Sequence, residues 1–338
     1  NLLHGIIDYI EVEIGGQKID RHYGHWMETF VQLTQKNELG VISIINNSDN
    51  DNWDYQSICN GTKYQRLTGT GGVIHGNASG SSEPQTFFVP INFWFCRNPG
   101  VALPLIALQY HDVKVNFKFS LLKNANDFKH DVNVYCDYVY LDTDERRRFS
   151  QISHEYLIEQ VQFQNHTTPS LTKELNFNHP VKELIWIGRT ETVGNGNKPM
   201  VCSNTDCTPR IISSFTQGTT YKPYWVNKGP FVEGKTRYLH EAQHKTSITL
   251  NGHERISPRY NKYFTRHQIL SHHSGFGGVN QNDSIAVYSF ALNPEEHQPS
   301  GTCNFSRINN AQLIFHPPND TTFTITPYIY VYAVNYNV

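Results

Sequence analysis

The chain has 338 residues, room for two domains of about 100–200 residues each or for one large all-β unit. A net charge of −2 and a pI near 6.8 exclude the basic face that a phosphate-backbone binder needs. Mean hydropathy is −0.51, and no apolar run approaches the roughly 18 residues of a spanning helix, so neither direct nucleic-acid contact nor a transmembrane segment is expected.

Only 17% of residues are charged and 13% are aromatic, while 32 Asn outnumber the 30 acidic residues. Aromatic, β-branched and Asn/Gly/Pro-rich chains suit strands joined by turns. In chain order, residues 10–14 (IEVEI) alternate strictly and Gly15-Gly16 offers a tight reversal. Tyr23, Trp26, Met27, Phe30 and Leu33 fall at helical spacing and predict a short amphipathic helix. Residues 46–85 form a polar excursion rich in Asn, Gly, Ser and Thr. Strands are then predicted at 86–95, 113–119 and 132–141. Residues 142–152 read as a short charged helix or linker with Thr143 as candidate N-cap and Arg146 to Arg148 near its end. Further strands follow at 181–187, 246–250, 285–292, 312–315 and 323–334, with a second long loop at 188–238.

The order of signals repeats. Ile14-Gly15-Gly16 resembles Leu250-Asn251-Gly252, Asn98-Pro99 resembles Asn293-Pro294, and residues 134–141 resemble 327–334. The offset shrinks across the repeat by the length of the 46–85 excursion, as though the first copy carried an insertion. Two copies of one β-domain are therefore expected, residues 1–150 and 151–338.

No motif points firmly to catalysis. His240-Glu241-Ala242-Gln243-His244 fits the zincin pattern, but strand-period sequence follows it and Leu250 stands where a third histidine would be needed. The pairs His22/His25 and His272/His273 lack the H-x-H spacing of a metal-binding cupin. No nucleotide-binding loop or nucleophile elbow occurs, so no enzyme, cofactor or metal is expected. The six cysteines (59, 96, 136, 202, 207, 303) are scattered, and reduced, mostly buried thiols are expected. N-x-[ST] sequons stand at Asn46, Asn60, Asn77, Asn165, Asn282, Asn304 and Asn319. Asn46, Asn60, Asn77, Asn282 and Asn319 are the candidate glycosylation sites, the first three sharing one polar loop.

Four longer blocks are more specific: residues 10–24 (IEVEIGGQKIDRHYG), 93–114 (FWFCRNPGVALPLIALQYHDVK), 137–149 (DYVYLDTDERRRF) and 288–307 (YSFALNPEEHQPSGTCNFSR). Together they resemble the major capsid proteins of nucleocytoplasmic large DNA viruses. That resemblance implies an all-β fold of two consecutive jelly rolls, with short helices and long surface loops. It implies trimeric, pseudo-hexagonal capsomers tiling an icosahedral shell, because two similar barrels times three chains gives six. The implied partners are two further copies, neighbouring capsomers, minor capsid proteins and surface glycans. The implied location is the virion, assembled in the host cytoplasm. Relatives carry more chain before the residue-10 block, and both ends read as cuts inside a longer polypeptide. The first jelly roll is therefore expected to lack its N-terminal strands and to expose sheet edges. A carbohydrate-binding β-sandwich is the alternative, motivated by Trp53, Tyr55, Tyr224 and Trp225 in polar loops.

Overall fold

The computed structural model describes residues 4, 7–36, 46–47, 52–53, 63–68, 88–119, 132–167, 170–188, 245–275, 277, 285–316 and 329–338. The first half contains strands β1 (Ile7–Ile14) and β2 (Gln17–Tyr23), helix α1 (Gly24–Thr34), and short strands β3 (Asn46–Asn47) and β4 (Asn52–Trp53). Helices α2 (Lys63–Thr68) and α3 (Trp94–Arg97), strand β5 (Val113–Phe119) and helix α4 (Thr143–Gln151) complete it. The second half begins with β6 (Ile158–His166), β7 (Thr172–Glu174), β8 (Pro180–Gly188), β9 (Lys245–Leu250) and β10 (His253–Tyr260). It ends with α5 (Gln268–His272), β11 (Ile285–Ser289), β12 (Cys303–Asn304), β13 (Ala311–His316) and β14 (Ile329–Asn337).

Two sheets face each other in the second half, one ordered β10-β9-β13-β7 and the other β11-β8-β14-β6, with β12 beside β8. Their inner faces enclose Leu184, Trp186, Ile248, Phe264, Leu313, Phe315, Val331 and Ala333. The alternate residues of the second sheet, Ile185, Ile187, Val287, Tyr330, Tyr332 and Val334, form a second core on its other face. Burial on both faces explains why β14 reads as an almost unbroken apolar run instead of an alternating one.

What covers that outer face is α1, a first-half element. Trp26 and Leu33, seven residues apart on one side of the helix, pack on the outer core. Met27, on the neighbouring side, joins Ile10, Val12, Phe93, Trp94 and Val101 in the core of the first half. The helix is thus wedged between the two halves. The first-half sheet is ordered β2-β1-β5, and its β2 edge meets β6 through side chains: Val161 N–H donates to Asp20 Oδ1 (3.0 Å) and Gln160 Nε2 to the Ile19 carbonyl (2.5 Å).

The repeated hairpins are alike in geometry. Ile14 pairs with Gln17 across Gly15 (φ 58°) and Gly16 (φ 81°), and Leu250 pairs with His253 across Asn251 (φ 50°) and Gly252 (φ 80°). Both are two-residue turns with positive φ at each central position, as the strand twist favours.

Several expectations are corrected. The described part of 86–95 is no strand: 88–93 joins no ladder, and Trp94 starts α3. Pro90 removes a donor from the middle of that run, and Phe93 and Trp94 turn into the core. Residues 132–141 join no ladder among the described residues, and 132–140 are exposed. The cap of α4 is Asp142, not Thr143, its carboxylate accepting from Glu145 N–H at 2.8 Å. Strand β11 stops at Ser289 instead of running to 292. Of the cysteines, Cys96 and Cys136 are exposed, not buried, because Cys136 sits in the uncovered 132–141 segment and Cys96 on the outer side of α3. Residues 323–328 and Cys59, Cys202 and Cys207 lie outside the described residues.

Candidate functional site: an inter-barrel seam and an exposed belt

A cavity of about 260 Å³ lies where the halves meet, walled on one side by Trp26, Phe30 and Leu33 of α1. Its other walls carry charge. Arg97 of α3 reaches Glu159 of β6 at 2.6 Å, and the other oxygen of Glu159 meets Lys182 of β8 at 2.9 Å. Lys182, 1% exposed, also donates to the Pro294 carbonyl (2.5 Å). Next to it Glu183 pairs with His273 (3.0 Å), whose other ring nitrogen meets Glu295 (3.2 Å). Buried charges persist only when paired in this way.

The pairing sets the protonation states. Burial pushes Glu183 up, but His273 beside it, with Lys182 and Arg97, holds its carboxyl below the ordinary value. Burial alone would lower His273; Glu183 and Glu295 outweigh it and raise the imidazole to about 9. The Tyr336 hydroxyl is pushed up to about 12 by burial and by Glu159 and Glu183. His25 is the opposite case: ringed by Tyr23, Phe163 and Tyr330 and bonded through Nδ1 to the Tyr332 hydroxyl, it is lowered by burial to about 3 and stays neutral.

The second surface is a belt of uncovered apolar side chains in the first half. Val132, Val134, Tyr135, Tyr138, Val139 and Tyr140 are all exposed, and β5, at the sheet edge, exposes Val115 and Phe119. Beside them α4 buries no residue and presents Arg146, Arg147 and Arg148 to solvent. Low charge and exposed aromatics suit a contact surface more than a substrate pocket.

The residues singled out in the sequence are placed as follows. His22 pairs with Asp20 (2.9 Å) and stacks on Phe93, and His272 bonds the Leu292 carbonyl, so neither histidine pair is assembled as a metal site. Among the described residues no cluster of three or more ligating side chains could hold a metal ion, and no helix is long and apolar enough to cross a membrane. His240 to His244, Asn60, Asn77, Asn282, Asn319, Tyr55, Tyr224 and Trp225 lie outside the described residues. Asn46 lies in β3, paired with Trp53 of β4. The described sequons Asn165 and Asn304 are both exposed, and the Asn304 side chain accepts from Ser306 N–H (3.0 Å). Sequence reasoning missed the seam. Its one visible signal was Lys182-Glu183, a charged pair inside the otherwise apolar strand VKELIWI.

Two β units joined through a charged seam, with apolar side chains left exposed, define a structural protein of the double jelly-roll class. The chain matches the family model of the large eukaryotic DNA virus major capsid protein over residues 145–338, and the major capsid protein N-terminus model over residues 1–142. It is 38% identical to the major capsid protein of Pyramimonas orientalis virus, over 99% of this chain and 74% of the relative. It is 33% identical to that of Paramecium bursaria Chlorella virus 1, over 98% and 76%. The crystal structure of PBCV-1 VP54, fitted into a reconstruction of the virophage Sputnik, superposes with a TM-score of 0.65 at 28% identity, covering 99% of this chain and 81% of that one. The Faustovirus major capsid protein shares the fold at 12% identity and a TM-score of 0.53, over 99% and 71%. The chain belongs to the major capsid protein family of large eukaryotic DNA viruses: it is a structural component of a virion capsid. Membership in that family does not favour the carbohydrate-binding alternative, and the relatives named are structural capsid proteins.

Proposed function

We propose that three copies of this chain assemble into a pseudo-hexagonal capsomer, and that such capsomers tile the outer shell of an icosahedral virion assembled in the host cytoplasm. The observation that carries the reading is the succession of two β units in one chain, each matched by its own capsid family model. Two such units, held by a buried seam, give six corners when three chains close around an axis. In this scheme the two barrels correspond to residues 1–150 and 151–338. The exposed belt at 132–141 and β5 supplies apolar area of the kind that lateral contacts bury. Neighbouring capsomers and minor capsid proteins are the expected partners. Surface glycans, and sugars carried on Asn46, Asn60, Asn77, Asn282 or Asn319, belong to the same proposal.

The test is the mass of the purified protein by light scattering. A particle of three 38.9 kDa chains is expected. A monodisperse monomer across micromolar concentrations would overturn the trimer.

A further inference from the structure

The C-terminal end of α1 is finished by residues from the other half. The Leu33 carbonyl accepts from Gly275 N–H (2.7 Å), Gln32 from Gly277 N–H (2.8 Å) and Thr34 from the Ser274 hydroxyl (2.9 Å). These are carbonyls that a helix end leaves without internal partners, so Ser274, Gly275 and Gly277 cap α1 from outside. The approach is close: a Cβ on Gly275 would sit 2.4 Å from the Gln32 oxygen.

That cap is wired to the buried charge. Glu295 accepts from Ser274 N–H (2.9 Å) and from the Ser274 hydroxyl (2.8 Å), and it also meets His273. A continuous path therefore runs from Glu183 through His273, Glu295 and Ser274 to the end of α1. With His273 protonated, the cavity walls hold three cations (Arg97, Lys182, His273) against three carboxylates (Glu159, Glu183, Glu295). Without that proton one buried carboxylate loses its counter-ion, and Glu183 is the one left facing the neutral ring.

We propose that the Glu183–His273–Glu295–Ser274 path is a proton-operated latch, which clamps α1 and with it the first half to the second barrel while His273 is charged and frees the helix end when the proton leaves. The groups facing His273 are accounted for from each packed element. They are Lys182 and Glu183 from β8, Glu159 from β6, Arg97 from α3, and the His22–Asp20 pair from β2. Glu295 comes from the loop after β11; Arg266, His267 and His272 precede His273 in its own segment, where His272 turns to the Leu292 carbonyl. Helix α1 brings no charge to this end, only Thr34 and the apolar wall of Trp26, Phe30 and Leu33.

The sign follows from linkage. A histidine raised by folding contributes fully below its unfolded value of about 6.5, and the contribution disappears as pH rises through about 9. Lys173 of β7, lowered by burial to about 8, titrates in the same range but lies in the facing sheet, and its effect has the opposite direction.

Hydrogen exchange on the full-length protein, corrected for the intrinsic pH dependence, reads the latch directly. Between about pH 7 and pH 10 the amides of α1 should lose protection by about tenfold or more, while the centre of β14 keeps its own. His273→Gln should show the low α1 protection already at pH 7 and no further change. Glu295→Gln, at a partly exposed site, should move the transition to lower pH. Constant α1 protection in the wild type, or an unaltered pH profile in His273→Gln, would overturn the latch. If His273→Gln fails to fold, an unshifted midpoint in Glu295→Gln would overturn it equally.

Discussion

Residues 134–141 of the first half and strand β14 of the second carry the same mixture of tyrosines and β-branched residues, yet they end in opposite environments. In β14, Tyr332 is 0% exposed; in the first-half segment, Tyr140 is 91% exposed. β14 lies between β6 and β8 and is bonded along both edges, while 132–141 joins no ladder among the described residues. Composition favours the extended state, but a strand also needs a neighbour for its N–H and C=O groups. The two segments separate the sequence signal for a strand from the tertiary condition for one.

The largest effect that would test this contrast is truncation of the paired tyrosine. Tyr332→Ala removes a ring packed against Trp26 and Phe163 and leaves His25 buried without its hydroxyl partner. A loss of about 3–5 kcal/mol in urea denaturation is expected. Tyr140→Ala should stay within about 0.5 kcal/mol in the isolated protein. A comparable loss for Tyr140 would mean that the 132–141 segment is packed in solution, and the contrast would fail.

The same distinction explains what was legible in the sequence. Strands β1, β5, β8, β9 and β13 were visible because each has a dense apolar periodicity and also finds a partner. Helix α1 was visible from the spacing of Trp26, Phe30 and Leu33. β6 was missed because Gln160, Gln162 and Gln164 leave only Val161 and Phe163 as apolar signal in its middle. These glutamines serve the edge: Gln162 and Gln164 exchange bonds with the backbone of Asn178 and Asn176. The seam was illegible because its charges, from Arg97 to Glu295, come from separate elements and meet only when both halves fold. Local pattern cannot encode such long-range pairing.

A second, smaller effect sharpens how the halves are joined. Gly275→Ala places a methyl group 2.4 Å from the Gln32 oxygen and 2.5 Å from the Leu33 carbonyl carbon, both backbone atoms that cannot swing aside. Thermal or urea denaturation should report a loss of about 1–3 kcal/mol. If the cost is negligible, Gly275 does not hold the end of α1 in solution.

The smallest effect concerns the feature that the halves share most closely. Gly16 and Gly252 have φ of 81° and 80°, and a Cβ at either would meet nothing within 4 Å. Replacing each with Ala therefore tests backbone strain alone, and the two losses should agree at about 1 kcal/mol although one hairpin lies in a three-stranded sheet and the other in a four-stranded sheet that faces a second one. The preceding position breaks the equivalence. Asn251 tolerates positive φ, and its side chain accepts from Asn309 N–H (2.9 Å) and Asn310 N–H (3.2 Å), tying the second turn to the start of β13. Gly15 holds the first turn through its backbone instead, donating to the Asp112 carbonyl at 2.9 Å, and a Cβ there would meet the His111 ring at 2.7 Å. Asn251→Gly should cost more than the turn geometry alone requires, because it removes an acceptor shared by two amides. Gly15→Asn should gain nothing until His111 moves. Equal responses at these two positions would show that the hairpins, not their surroundings, set the stability of both halves.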